Sequence, residues 1–299
     1  MEGIVMTHTL ENEQLLVKID DHGAELVEIY DKEKEQQVLW EADPAFWNRH
    51  APVLFPNVGR YYENHCLIDG KTYESGQHGF ARDKDFVCTE KSPDSITHLL
   101  KSDDSTRVSW PFDFELSITH RLEGNTLTIL WKVINTDQNT MYFTIGGHPA
   151  FRVPVLSGTS RNQYHLNFYS QKKFTYCQVD MATGTVYPDK TKVLNLENGT
   201  CPITDHMFDD DALVFDGGQV EKVGINYPNG SPYIEMNCKG FPSLGIWSKS
   251  PDAPFVCLEP WMGRCDNYGY HDELSLKQDI NKVEPGKTFN QSYSITVYY

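Results

Sequence analysis

No apolar run in this sequence reaches the roughly 18 residues that a membrane span needs. The opening segment, MEGIVMTHTLENEQLLVKI, has no basic stretch followed by an apolar core, so no secretory leader is expected. Positive charge is scarce. Lys and Arg number 26 against 42 Asp and Glu, a formal net charge of −16. Nucleic acid and anionic membrane surfaces need a cationic face, so neither is an expected partner. A small cationic pocket remains compatible with that balance. The seven cysteines (66, 88, 177, 201, 238, 257, 265) are odd in number and scattered, and none forms a CxxC pair. This excludes a disulfide framework and a zinc signature, and it suits buried thiols in a reducing cytoplasm. HExxH, Walker A, GxSxG and a GxGxxG strand–helix junction are all missing. A metal site from His65, His78 and His148 lacks ligand spacing, so none is expected. There is no internal repeat, low-complexity tract or Pro/Ser-rich linker.

What is present is a folding chain. Its 299 residues are 39% hydrophobic and 23% charged, enough for a sizeable core and one large domain spanning 1–299. Period-two alternation dominates. Leu116, Ile118, His120 and Leu122 alternate with polar residues, Glu123-Gly-Asn125 turns the chain, and Leu127, Ile129, Trp131 and Val133 alternate back. That pattern predicts a hairpin. Leu15, Val17 and Ile19 form another such row, as do Tyr293, Ile295, Val297 and Tyr299. Asp69-Gly70, Gly217-Gly218, Asn229-Gly230 and Pro285-Gly286 mark further turns. Helix signals are few: Pro44 to His50 behind Asp43 as N-cap, and His271 to Gln278. The fold class is therefore all-β, with many antiparallel strands, a few short helices and two large packed sheets. The ligand site is expected on a concave sheet face.

Five side chains stand out as chemistry. In Phe255-Val-Cys-Leu-Glu-Pro-Trp261 an apolar run delivers one carboxylate, Glu259, and Pro260 is expected to end the ladder there. A carboxylate behind an apolar strand and beside an aromatic ring suits a general base next to a carbohydrate. In Thr144-Ile-Gly-Gly-His-Pro149 the paired glycines suggest a ligand pressing on the main chain, and His148 can exchange protons near neutral pH. His78 lies beside Gly79 in a loop, with room for a ligand. Arg60 follows Val58-Gly59, and its planar fork of donors suits sugar hydroxyls or a ring oxygen. Arg82 and Asp83 read as scaffolding for the His78 loop. Of the acidic run Asp209 to Asp211, only Asp211 leads directly into an apolar strand. Each has an ordinary structural alternative when taken singly: a rim ion pair for Glu259 and Arg60, a packed ring for either histidine, a solvated turn for the acidic run.

Together these stretches resemble the aldose 1-epimerase (galactose mutarotase) superfamily, in its LacX-like branch. The resemblance rests on Trp40-Glu-Ala-Asp-Pro-Ala-Phe-Trp47, His50-Ala-Pro-Val-Leu-Phe-Pro56, His78-Gly-Phe-Ala-Arg-Asp83, Gly146-Gly-His-Pro-Ala-Phe151, Asp211-Ala-Leu-Val-Phe215 and Glu259-Pro-Trp261, in that order along nearly the whole chain. It implies a β-supersandwich, a cytosolic setting, no cofactor and a monosaccharide (aldose) substrate, with a monomer or homodimer compatible. By position it implies Glu259 as general base, His148 as general acid, and His78, Arg60 and Asp211 as sugar-binding groups. The sequence departs from galactose mutarotases of the superfamily in the residues around both histidines, Ser-Gly-Gln-His78-Gly-Phe and Gly-Gly-His148-Pro-Ala-Phe. Reaction class therefore carries over better than galactose does. The expected activity is interconversion of α and β anomers by acid–base ring opening. Two rivals are a non-catalytic sugar-binding protein on the same fold and, more remotely, a glycoside hydrolase using Asp211 and Glu259.

Overall fold

A computed structural model describes residues 6–299. Most of the chain is strand, and the helical pieces are single turns. The 114–135 hairpin forms as its alternation predicts. Strands Phe114–Glu123 and Thr126–Asn135 pair antiparallel, with Leu116 opposite Val133, Ile118 opposite Trp131 and Leu122 opposite Leu127. Alternate residues are buried along both strands, so each presents one face to the core.

This hairpin lies within a nine-stranded antiparallel sheet, between Ser95–Lys101 on one side and Thr288–Val297 on the other. The second large sheet runs in the order Thr185–Leu194, Phe174–Asp180, Leu213–Phe215, Ser243–Trp247, Phe255–Met262, Ile145–Gly147, Val53–Leu54. Ala150–Arg152 also pairs with Phe255–Met262. Residues of the two sheets, among them Leu116, Ile118, Ile129, Leu244, Ile246, Val256 and Leu258, belong to one continuous apolar cluster. A four-stranded meander, Thr7–Glu11, Leu15–Asp20, Leu26–Asp31 and Gln36–Gln37, contributes Leu15, Val17 and Ile19 to the same cluster. The two packed sheets of the expected all-β architecture are thus present.

The two helix signals give less than a helix. Asp43 accepts from the Ala45 amide at 2.9 Å and closes a turn at Phe46 and Trp47, but no helix follows. In the second region only Leu274–Leu276 makes a single 3₁₀ turn. All seven cysteines are unpaired, and six are buried. No helix among the described residues is long and apolar enough to cross a membrane.

The strand Phe255–Met262 corrects one expectation. Pro260 does not end it: Glu259 is mid-strand, opposite Gly245, and Pro260 is opposite Leu244. The proline is tolerated because of where its missing N–H falls. The Leu258 amide, two residues earlier and on the same side, donates to Pro149 O. That side faces the break between Ile145–Gly147 and Ala150–Arg152, where no ladder bond is required of residue 260. Period two then divides the strand. Val256 and Leu258 point into the intersheet core, while Phe255, Cys257, Glu259 and Trp261 share the opposite face.

Candidate active site

That opposite face is the floor of a cavity of about 650 Å³. Glu259, Trp261, Val179 and Val214 line it from the sheet. Trp47, His78, Arg49, Arg82, Asp209, Asp211, Trp247 and Lys249 stand around it.

The Trp261 indole lies against the sheet. A Cβ on Gly245 would fall 2.4 Å from its Cζ2, and one on Gly146 2.6 Å from its Cδ1. Both flanking strands therefore give up a side chain to seat one ring. The paired glycines serve this packing rather than a ligand: a Cβ on Gly147 would meet the Tyr293 hydroxyl at 2.6 Å. Gly59 is a point of close backbone approach. Its φ is +65°, and a Cβ would fall 2.5 Å from Cys265 Cβ, so only glycine lets these two segments meet.

His148 sits in the break between the two short strands, beside the floor. Its Nε2 is 3.2 Å from Glu259 Oε2, and the residues are 6% and 1% exposed. Such burial acts on both in the direction of neutrality. It pushes the Glu259 carboxyl well above its ordinary range, helped by the nearby Asp211 carboxylate. The indole of Trp261 opposes this in part, although its N–H makes no hydrogen bond of ordinary geometry. The His148 imidazole is lowered to about 3, first by burial and then by the positive charges of Arg82 and Arg49. The contact Glu259–His148 thus brings together two groups that burial holds towards their neutral forms.

Aromatic rings fix the imidazole. Trp47 lies over His148 with ring centroids 4.8 Å apart, and Trp247 meets it edge-on at 5.6 Å. Both tryptophans also pack on Phe255. His78 approaches His148 edge-on at 5.5 Å. Its backbone is left-handed, φ +69°, and is held there by two bonds to Gly59. The His78 amide donates to Gly59 O at 2.8 Å, and the Gly59 amide donates to His78 Nδ1 at 3.0 Å. An imidazole nitrogen that accepts carries no proton. Nε2 therefore bears the hydrogen and His78 is a donor. Burial, followed by His148 and the surrounding arginines, holds it neutral.

Arg60 is not brought to the cavity lining. Its guanidinium bonds to Asn64 Oδ1 at 3.0 Å and to Gln77 Oε1 at 3.5 Å, and its stem packs on Gly184. The arginines at the cavity are Arg82 and Arg49. Arg82, read from sequence as scaffolding, donates to Gln77 O, while Arg49 pairs with Asp83 at 2.6 Å. Asp211 does line the cavity, at the wall shared with a neighbouring cavity of about 470 Å³. Asp209 lines it too, whereas Asp210 turns to Lys192 at 2.7 Å. Phe80 and Phe151 are in the core cluster or packed against it. Trp47 and Trp247 line the cavity. Trp47 closes a recognisable motif behind the Asp43 turn, and this was the available signal; nothing local marks Trp247.

His65, His78 and His148 do not assemble as a metal site. Among the described residues three other donor sets have their atoms within 4.8 Å of one another: His148, Cys257 and Glu259; Glu63, His65 and His271; and His8, Cys88 and His98.

Comparison with known proteins decides the family. The description "Aldose 1-epimerase" matches residues 6–287. The chromosomal protein LacX of Lactococcus lactis subsp. lactis is 30% identical over 300 residues, covering 98% of this chain and 99% of that protein. The chain belongs to the aldose 1-epimerase family. The solved structure of a galactose mutarotase related enzyme from Lactobacillus acidophilus superposes with TM-score 0.92 at 33% identity, covering 98% of each chain. A galactose mutarotase-like protein from Lactobacillus casei gives 0.89 at 28% identity, covering 98% of this chain and all of that one. The architecture is therefore the galactose mutarotase-like β-supersandwich expected from the motifs, and the chain is mutarotase-like in general character.

Proposed function

We propose that this protein is an aldose 1-epimerase that interconverts the anomers of a free aldose, with Glu259 and His148 as its acid–base pair. The observation that carries the reading is the buried 3.2 Å contact between these two groups on the floor of the cavity. Mutarotation needs one base at the C1 hydroxyl and one acid at the ring oxygen. The pair supplies both without a change in total charge. Transfer of the carboxyl proton of Glu259 to the imidazole of His148 leaves carboxylate and imidazolium. Glu259 then takes the proton from O1, the C1–O5 bond breaks, and His148 gives its proton to O5. The open-chain aldehyde turns about C1–C2, and the same steps run backwards to close either anomer.

The remaining groups bind and orient. His78 offers Nε2–H as a neutral donor. Trp47 and Trp247 give apolar faces, and Arg82, Arg49, Asp209 and Asp211 supply donors and acceptors for hydroxyls. Arg82 and Arg49 replace Arg60 in this reading, because they line the cavity and Arg60 does not.

Glu259→Gln is expected to lower the rate of anomer exchange by about 10²–10⁴-fold, the usual share of a positioned acid or base. Exchange is followed by NMR on freshly dissolved aldoses, with circular dichroism to confirm the fold. An unchanged rate refutes the assignment. Saturable sugar binding with no exchange in the wild-type protein would identify a binding protein instead.

A further inference from the structure

A second cluster lies away from the sugar cavity, where the first strand meets the edge of the nine-stranded sheet. His8 is on Thr7–Glu11, His98 on Ser95–Lys101 and Cys88 on the edge strand Val87–Lys91. Cys88 is directly opposite His98 in the ladder, next to a register shift between Cys88 and Glu90. Bulges of this kind re-aim a side chain. The donor atoms of His8, Cys88 and His98 lie within 4.8 Å of one another. Asp21 Oδ1 stands against both imidazoles, 2.8 Å from His8 Nε2 and 3.2 Å from His98 Nε2.

The second observation is His98 itself. It is fully buried, and neither of its ring nitrogens makes a hydrogen bond among the described residues; Asp21 is near Nε2 but off hydrogen-bond geometry. Proteins rarely leave a sealed polar nitrogen without a partner, and an ion is one reason they do. The Cys88 thiol makes only a long hydrogen bond, 3.8 Å to Glu90 O, among the described residues.

We propose that His8, Cys88 and His98 bind one transition-metal cation of the Zn²⁺ class, with Asp21 as the carboxylate that orients the imidazoles. One thiolate and two imidazoles select a borderline-soft ion and discriminate against Mg²⁺ and Ca²⁺, which take oxygen ligands. A carboxylate against a ligating histidine is the usual outer partner in such sites. None of the four residues lines the sugar cavity, so the site is independent of the acid–base pair. The ion would clip the N-terminal meander to the exposed edge of the large sheet.

The test uses the full-length protein, stripped with a chelator and titrated with Co²⁺. The expected result is one equivalent bound with a thiolate-to-cobalt charge-transfer band, bleached by Zn²⁺, lost in Cys88→Ser and kept in Cys257→Ser. No such band, a band that survives Cys88→Ser, or a band lost in Cys257→Ser overturns the proposal. Amide exchange gives a second readout. Zn²⁺ should slow exchange across residues 7–11 and 87–91 of the wild-type protein and leave Cys88→Ser unchanged. Equal exchange with and without Zn²⁺ in the wild-type protein refutes the clip.

Discussion

Replacing Gly245 with alanine tests how the cavity floor is built. An ideal Cβ there would fall 2.4 Å and 2.5 Å from Cζ2 and Cη2 of Trp261. Carbon atoms in contact prefer about 3.5–4.0 Å, so ring and methyl must separate by about 1 Å. The ring has no sideways escape, because its other end covers Gly146, where a Cβ would already be within 2.6 Å of Cδ1. The strand cannot retreat either, being paired on both sides and backed by Val256 and Leu258 in the core. The indole must lift into the cavity beside Glu259. Overpacking of this kind costs about 1–3 kcal/mol. In urea the unfolding midpoint should fall with an unchanged slope. Activity should suffer beyond the loss of folded protein, since an error of about 1 Å at a reacting group can cost about 10²-fold. Gly76→Ala is the control: nothing lies within 4 Å of a Cβ at that position, so its stability should stay within about 0.5 kcal/mol of wild type. If Gly245→Ala is as stable and as active as wild type, the ring is not pinned between two glycines and this account of the floor is wrong.

Other substitutions separate the remaining assignments. Arg82→Leu should raise the KM for sugar by about 10–100-fold, the worth of a hydrogen bond from a charged group, while Arg60→Leu should change it less than about twofold; equal effects in kinetic assays would restore Arg60. Acid stability reports on the buried pair. The His148 value of about 3 lies below the unfolded 6.5, so its contribution is whole above pH 6.5 and is lost as pH falls from 6.5 towards 3. His148→Gln should flatten that limb by about 1.4 kcal/mol per pH unit in denaturant titrations. Glu259 runs the other way. Its raised carboxyl stabilises below its unfolded value near 4.5, and that contribution is lost as pH rises, so Glu259→Gln should gain stability over wild type with increasing pH. Lys277 is buried against Asp266, which also accepts from the Tyr62 amide. Lys277→Met should cost about 3–5 kcal/mol in chemical denaturation, because it strands a buried carboxylate.

The fold was legible where one face of a strand meets water, as in the 114–135 hairpin, because alternation then prints in the sequence. It was less legible where a strand is buried on both faces. There Pro260 reads as a stop, and only the break in the neighbouring strand explains why it is not. Gly146 and Gly147 read as a place where a ligand presses on the main chain, but the groups that approach there are Trp261 and Tyr293, the latter nearly 150 residues away in the chain. Glu259, His148, His78 and Asp211 all reach one cavity, each announced by a local break in pattern. Arg60 carries the same kind of local signal, a glycine before a charged side chain, yet the fold turns it towards Asn64 and Gln77. Arg82 and Trp247 carry none and line the cavity. Direction of a side chain at a loop is decided by tertiary contacts, and the linear pattern does not encode it.

The division of labour within the site follows from the same packing. Glu259 and Trp261 stand on a strand with partners on both sides, and His148 is clamped between two tryptophans and the floor. Side chains on such elements hold their geometry without substrate, which acid–base chemistry requires. The cavity-lining groups Arg49, Arg82, Asp209 and Lys249 lie outside the named strands, and Asp211 precedes its strand. A substitution among them leaves the ladder and the intersheet core untouched. One at Gly146, Gly245 or Trp261 disturbs three strands at once. The proposed acid–base pair is therefore held more tightly than the groups proposed to meet the sugar hydroxyls. A panel of aldoses tested on loop variants should change preference among sugars before it loses ring opening.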